Sequence, residues 1–93
     1  MDDIMSDDAV NRYVIAFESI HAAMASERAL LGIGAVMLPT PRAISAGCGM
    51  ALKFEAGDAD EAREKASLAK EAHGLATLYA QIDDDFYAEL EKL

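Results

Sequence analysis

The chain has 93 residues, which is the size of one domain. Its 17 acidic and 8 basic residues give a formal net charge of −9, so the chain lacks the basic surface that nucleic-acid binding requires. No apolar run approaches the ~18 residues that a transmembrane helix needs, and the single cysteine, Cys48, excludes an intrachain disulfide.

The negative charge is concentrated at the two ends of the chain. Residues 1–12 and 83–93 carry net charges of −3 and −4. We therefore expect an acidic N-terminal extension at 1–12, a folded domain at 13–82, and an acidic C-terminal tail or short helix at 83–93. The acidic start of the sequence lacks the basic region of a signal peptide, so a cytoplasmic location is expected.

The first part of the domain predicts a strand, a helix and a second strand. Residues 13–17 are β-branched and aromatic on both faces, which is typical of a central strand. Ser19 is a suitable N-cap for a helix over residues 20–31, and residues 35–38 predict a short strand. We expect this helix to turn an apolar stripe toward the core, made of Ile20, Ala23, Met24, Leu30 and Leu31.

After a long connection at residues 39–49, the pattern predicts a strand, a helix and another strand. Residues 50–55 alternate between apolar and polar positions, which indicates a half-buried strand. Asp58 and Glu61 form a capping box at the start of a second helix, which Gly74 would end. One face of that helix carries Ala62, Ala66, Ala69 and His73.

The end of the chain predicts a fourth strand and a short helix. Residues 75–82 alternate, with Ala76, Leu78, Ala80 and Ile82 facing inward. The three aspartates at 83–85 would cap a last short helix that carries Phe86 and Leu90 on one side.

The order β-α-β-β-α-β predicts an α+β fold, the ferredoxin-like plait. Such a fold has an antiparallel sheet in the strand order 4-1-3-2, with two helices on one face; here a short C-terminal accessory segment would be added. Because strand 3 would then lie beside strand 1, Cys48 should lie near the N-terminus of the first helix, with Ser19 and His21.

Cys48 is the main candidate for chemistry. Gly47 and Gly49 flank it and leave the sulfur unshielded, while the helix N-terminus and Arg42 would lower the pKa of the thiol. The alternative is a small buried hydrophobic residue in a turn, which is common for free cysteine. Glu27 interrupts the helix stripe and would pair with Arg28 or Arg42, or else remain solvated.

No metal or cofactor is expected at this site. Cys48, His21 and His73 would lie at the same end of the sheet, but their spacing matches no recognised metal-ligand pattern. No glycine-rich phosphate loop or serine nucleophile motif is present in the sequence.

Two segments resemble a known family. Phe17-x-Ser19-x-His21-x-Ala23-Met24-x-x-Glu27, followed by Pro39-x-Pro41-Arg42-x-Ile44-Ser45-x-x-Cys48-Gly49, is similar to the selenium/sulfur carrier protein-like family, over about residues 13–82. The resemblance implies a role in sulfur or selenium trafficking, with the chalcogen atom held on Cys48. It also implies that Arg42, Ser45 and Gly49 shape the loop.

The sequence thus predicts a sulfur or selenium carrier that holds a persulfide or perselenide on Cys48. By resemblance, its partners would be a cysteine desulfurase or a selenium donor protein, and an acceptor protein. With no resolving thiol, the chain would be a transfer partner rather than a self-sufficient enzyme. Two alternatives remain open: a non-catalytic interaction or regulatory module, which would dimerise through the sheet face, and a redox sensor that forms a sulfenic acid at Cys48.

Overall fold

A computed structural model describes residues 11–44, 49–69, 76–83 and 86–93. Within these residues the chain forms an α+β fold, as the sequence predicts. The elements in chain order are strand β1 (Asn11–Phe17), helix α1 (Ile20–Leu30) with a 3-10 turn (Leu31–Ile33), strands β2 (Val36–Pro39) and β3 (Met50–Ala56), helix α2 (Ala59–Ala66), and strands β4 (Ala76–Gln81) and β5 (Tyr87–Lys92).

Strand β1 occupies the middle of the sheet. The strand order is β2-β3-β1-β4-β5, and all neighbouring strands are antiparallel. Ile15 is paired with Leu52 on β3 and with Leu78 on β4, and all three side chains are fully buried. On the opposite face Val14 is buried as well. The prediction of a central strand is confirmed, although β1 begins at Asn11, two residues earlier than predicted.

Both helices contribute to a single core on one face of the sheet, mostly through small side chains. Helix α1 buries Ala22, Ala23, Ser26 and Leu30, and α2 buries Ala62 and Ala66. Most of the bulk of the core comes from the strands, where the rings of Tyr13 and Phe54 stack with their centroids 5.9 Å apart. The strand residues of this core are Tyr13, Ile15, Phe17, Leu52, Phe54, Ala56, Ala76 and Leu78.

The predicted helix starts are confirmed. Ser19 Oγ accepts a hydrogen bond of 2.9 Å from the Ala22 N–H, and Asp58 Oδ1 accepts one of 2.8 Å from the Glu61 N–H. The Glu61 carboxylate accepts in turn from the Gly57 N–H, one residue before the N-cap, so the return bond of the predicted capping box is displaced by one residue. Helix α2 is shorter than predicted and ends at Ala66, after which Ala69 remains buried. His73 and Gly74 lie outside the described residues.

The predicted core stripe of α1 is wrong for three of its four large members. Ile20, Met24 and Leu31 are 62%, 61% and 63% exposed, whereas Leu30 and the smaller residues of the helix face the sheet. Large side chains from the strands already fill most of the core, so the helix packs against it mainly through alanine and serine, with Leu30 as the one large side chain that it buries.

The predicted C-terminal helix is also wrong, because residues 87–92 form strand β5. The Asp83 carboxylate accepts from the Phe86 N–H at 3.0 Å, and the Ile82 N–H donates to the Phe86 carbonyl at 2.8 Å. Asp83 therefore caps a turn between two strands, and Ile82 is 65% exposed rather than facing inward. Arg63 on α2 contacts Glu91 of β5 at 3.1 Å, an ion pair between the helix layer and this edge of the sheet.

Replacing Ser26 or Ser19 by alanine should change the free energy of unfolding in opposite directions. Ser26 Oγ is buried with no hydrogen-bond partner among the described residues, so Ser26→Ala should raise the free energy of unfolding by about 1 kcal/mol. Ser19→Ala removes the N-cap bond and should lower it by about 1 kcal/mol. Urea denaturation of both variants checks this; destabilisation by Ser26→Ala would show that the hydroxyl has a stabilising partner.

Candidate functional site

Cys48 lies outside the described residues, as do Ser45, Gly47 and His73. The structure describes the chain up to Ile44 and again from Gly49, so the residues on either side of Cys48 define the candidate site. Gly49 follows Cys48 in the sequence and leads directly into β3.

The two ends of the β2–β3 connection are held together by a backbone hydrogen bond. The Thr40 N–H donates to the Gly49 carbonyl at 2.9 Å, one step beyond the last paired residues of β2 and β3, Pro39 and Met50. A second bond, from the Ile44 N–H to the Pro41 carbonyl at 2.9 Å, forms a turn early in the connection. The residue that follows Cys48 is thus fixed at the end of the sheet.

Gly49 lies too close to its neighbours to carry a side chain without a shift. A Cβ atom at this position would stand 3.1 Å from Thr40 Oγ1 and 3.6 Å from the Phe17 carbonyl oxygen. The first distance is tighter than most real contacts of a Cβ atom, so Thr40 would have to move. Glycine is therefore favoured here, because the loop base and β1 approach each other closely.

A small open cavity of about 320 Å³ lies beside Gly49, and we call it the Gly49 pocket. The end of β1, the β2–β3 connection and the start of β4 all contribute to it, which is the convergence that the predicted topology places at this end of the sheet. Its lining residues are Ala16, Phe17, Glu18, Thr40, Ile44, Gly49, Thr77 and Tyr79.

The Gly49 pocket offers hydroxyl groups. Thr40 Oγ1 is buried and has no hydrogen-bond partner in the part of the chain that the structure describes, a situation that costs about 1–3 kcal/mol unless a ligand or water satisfies the group. Burial and, less strongly, the negative charge of Glu89 raise the pKa of the Tyr79 phenol. Tyr79 therefore stays protonated at neutral pH and can donate a hydrogen bond into the pocket.

The other predicted site residues are not gathered at this pocket. The hydroxyl of Ser19 is used as the helix cap. His21 and Glu27 lie along the outer side of α1, and Arg42 is exposed in the β2–β3 connection. Within the described part of the chain, Glu27 forms no ion pair with Arg28 or Arg42, so the expected pairing is not present.

Thr40 and Tyr79 are pocket residues that the sequence did not reveal. Tyr79 occupies a position of β4 that alternates away from the core, but only the strand order shows that this face of β4 meets the β2–β3 connection. Thr40 lies between two prolines, and this pattern indicates only the end of a strand.

Two further findings bear on the type of site. Among the described residues, no group of three or more His, Cys, Asp or Glu side chains is placed to hold a metal ion. No helix formed by those residues is both long and apolar enough to cross a membrane.

The fold and the site define a small α+β domain with a hydroxyl-lined pocket at the base of its cysteine-bearing loop. The chain belongs to the family described as "Putative Se/S carrier protein-like", whose family model matches residues 12–73. The matched segment runs from β1 through Cys48 to the region after α2, and the resemblance seen in the sequence is confirmed. No curated protein and no solved structure matches the chain.

Crowding at Gly49 can be measured with a double-mutant cycle. Gly49→Ala should lower the free energy of unfolding by about 1 kcal/mol, because its methyl group meets Thr40 Oγ1. In a Thr40→Ala background, Gly49→Ala should lower the free energy of unfolding by at most half as much. Gly32→Ala is the matched control: nothing lies within 4 Å of its added Cβ, and it should be neutral or slightly stabilising. An equal loss in both backgrounds would show that Thr40 is not the obstacle.

Titration of Tyr79 tests the electrostatics of the Gly49 pocket. Ultraviolet absorbance should show a phenol with a pKa above the usual ~10, absent in Tyr79→Phe. Glu89→Gln should lower this pKa, whereas Glu91→Gln, on the same strand, should not. Because the folded-state pKa is raised, Tyr79 should reduce stability only as the pH rises beyond ~10. A pKa that does not respond to Glu89→Gln would exclude the charge contribution.

Proposed function

We propose that this protein carries a sulfur or selenium atom on Cys48 as a persulfide or perselenide. The observation that carries the proposal is the family match, which spans the loop holding the one cysteine of the chain. The geometry at the loop base supports it, because Gly49 is fixed beside a pocket with hydroxyl donors.

The transfer chemistry needs only one thiol on this protein. In loading, the Cys48 thiolate attacks the outer sulfur of a donor persulfide. A new bond forms between Sγ and that sulfur, the donor's own sulfur–sulfur bond breaks, and the donor thiolate leaves. In delivery, an acceptor thiolate attacks the outer atom and Cys48 leaves as the thiolate. The oxidation level travels with the transferred atom, so no external oxidant or reductant is required.

The described residues suggest how a terminal chalcogen anion would be held. The hydroxyls of Thr40 and Tyr79 can donate hydrogen bonds without adding charge, and the small volume of the Gly49 pocket suits a group of few atoms. Arg42 is exposed and forms no ion pair with the described residues, so its charge is available to stabilise a thiolate in the same loop. Ser45 and Gly49 would shape the loop, as the resemblance implies, and Gly47 would leave the sulfur of Cys48 unshielded.

On this proposal the protein is a transfer partner. Its donor would be a cysteine desulfurase or a selenium donor protein, and its acceptor a protein thiol. We place this exchange in the cytoplasm, where reducing conditions keep a single thiol available.

We also propose that residues 13–82 form a ferredoxin-like plait. In support, the strands β1 to β4 follow the order β2-β3-β1-β4, with β5 added at one edge.

Intact mass measurement tests the carrier function. After incubation with sodium polysulfide, or with a cysteine desulfurase and L-cysteine, the wild-type protein should gain the mass of sulfur. Cys48→Ser should gain none, while its thermal midpoint should stay close to that of the wild type. Wild-type protein blocked with iodoacetamide provides a second control.

Two outcomes would contradict the carrier function. Sulfur loading that persists in Cys48→Ser would place the cargo elsewhere. A gain of oxygen under peroxide, without any gain of sulfur from either donor, would favour a redox sensor.

A further inference from the structure

Helix α1 is apolar on the side that faces away from the core. Ile20, Met24 and Leu31 are each more than 60% exposed, and we call these three residues the α1 stripe. At 3.6 residues per turn, positions 20, 24 and 31 lie within about 40° of one another around the helix axis. Surface helices normally point such residues inward, so this exposure requires a separate explanation.

The α1 stripe borders an open groove that contains one carboxylate, that of Glu27. The groove runs along the helix and is lined by His21, Met24, Ala25, Glu27, Arg28 and Leu31. By the helical period, Glu27 lies between Met24 and Leu31 on the same side. Glu27 forms no ion pair with any described residue, so a protein that covered the stripe would have to supply a cation there.

The α1 stripe begins at the end of the sheet where the Gly49 pocket lies. Phe17 and Glu18 line that pocket, Ser19 caps the helix, and Ile20 is the first residue of both α1 and the stripe. A protein seated on the stripe would therefore lie at the same end of the sheet as the base of the loop that carries Cys48.

We infer that the α1 stripe is the docking surface for the protein that loads this carrier, and that this protein presents an apolar groove rimmed by basic side chains. The inference rests on the proposed function. Anchors one and three turns apart on one helix face are typical of helix-in-groove recognition. The basic rim follows from the carboxylate of Glu27 and from the net charge of −9, which attracts a positively charged surface during encounter.

A second copy of this chain is a poorer occupant of the same surface. Two chains of net charge −9 repel each other, and a C2 contact would place the two unpaired Glu27 carboxylates in one interface. A contact with three exposed anchor residues is small, and it would bury less than the ~1,200 Å² of total area that stable complexes usually bury. A carrier must release its donor after each transfer, which favours such a contact.

The test compares loading from a protein with loading from a small molecule. The two donors are the persulfide forms of the cysteine desulfurases of the same cell, and sodium polysulfide. The variant is Ile20→Asp, and the matched control is Ile82→Asp. Ile82 is 65% exposed and follows β4 at the opposite end of the sheet, so the control makes the same chemical change away from the loop.

Ile20→Asp should slow loading from a desulfurase by about tenfold or more, as removal of a central interface anchor does. Loading from polysulfide should stay within about twofold of the wild type, and Ile82→Asp should leave both rates unchanged. Added salt should slow desulfurase loading of the wild type, because it screens the attraction to the basic rim. If Ile20→Asp loses its native circular dichroism, Met24→Asp, one turn further along the stripe, replaces it.

The inference and the proposed function fail in different ways. Equal desulfurase loading of the wild type and both variants would overturn the inference and leave the carrier function intact. A wild-type dimer that Ile20→Asp dissociates would overturn it in favour of a second copy. The inference would also be overturned if polysulfide loads the wild type and none of the desulfurases does. Failure of polysulfide itself to load Cys48 would remove the proposed function.

Discussion

The fold depends on the pairing of β1 with a strand on each side. Ile15 is fully buried between Leu52 and Leu78, and Val14 is buried on the other face of the same strand. Because β3 and β4 are both registered on β1, the residue before β3 and the first residues of β4 meet at one end of the sheet. The Gly49 pocket exists because of that register.

Much of this architecture could be predicted because several local signals agree. The strand at 13–17 is apolar on both faces, and residues 50–55 alternate between apolar and polar positions. Ser19 and Asp58 are effective helix N-caps. Each of these patterns is typical of a single type of secondary structure. The same signals place the β2–β3 connection near the start of α1. The α+β class and the convergence of elements near Gly49 therefore follow from the sequence.

The wrong predictions arise where the sequence pattern is compatible with two different structures. The α1 sequence has apolar residues on more than one side, and packing against a core largely filled by strand side chains selects the side that carries alanine, serine and Leu30. The aspartate at 83 can cap either a helix or a tight turn, and the edge of β4 selects the turn by pairing with residues 87–92. Thr40 and Tyr79 are far apart in the sequence, so their shared pocket depends on tertiary contacts that no local signal contains.

The two edges of the sheet limit the ways in which another protein can bind. Strand β2 forms one edge with only four residues, and the last of them, Pro39, has no N–H to donate. Strand β5 forms the other edge, with charged residues at Glu89, Glu91 and Lys92 and an irregularity in its register with β4. Short, proline-ended, charged and irregular edges resist the addition of a foreign strand, which also protects the sheet from edge-to-edge aggregation. A partner must therefore recognise this protein through its side chains rather than by extending its sheet.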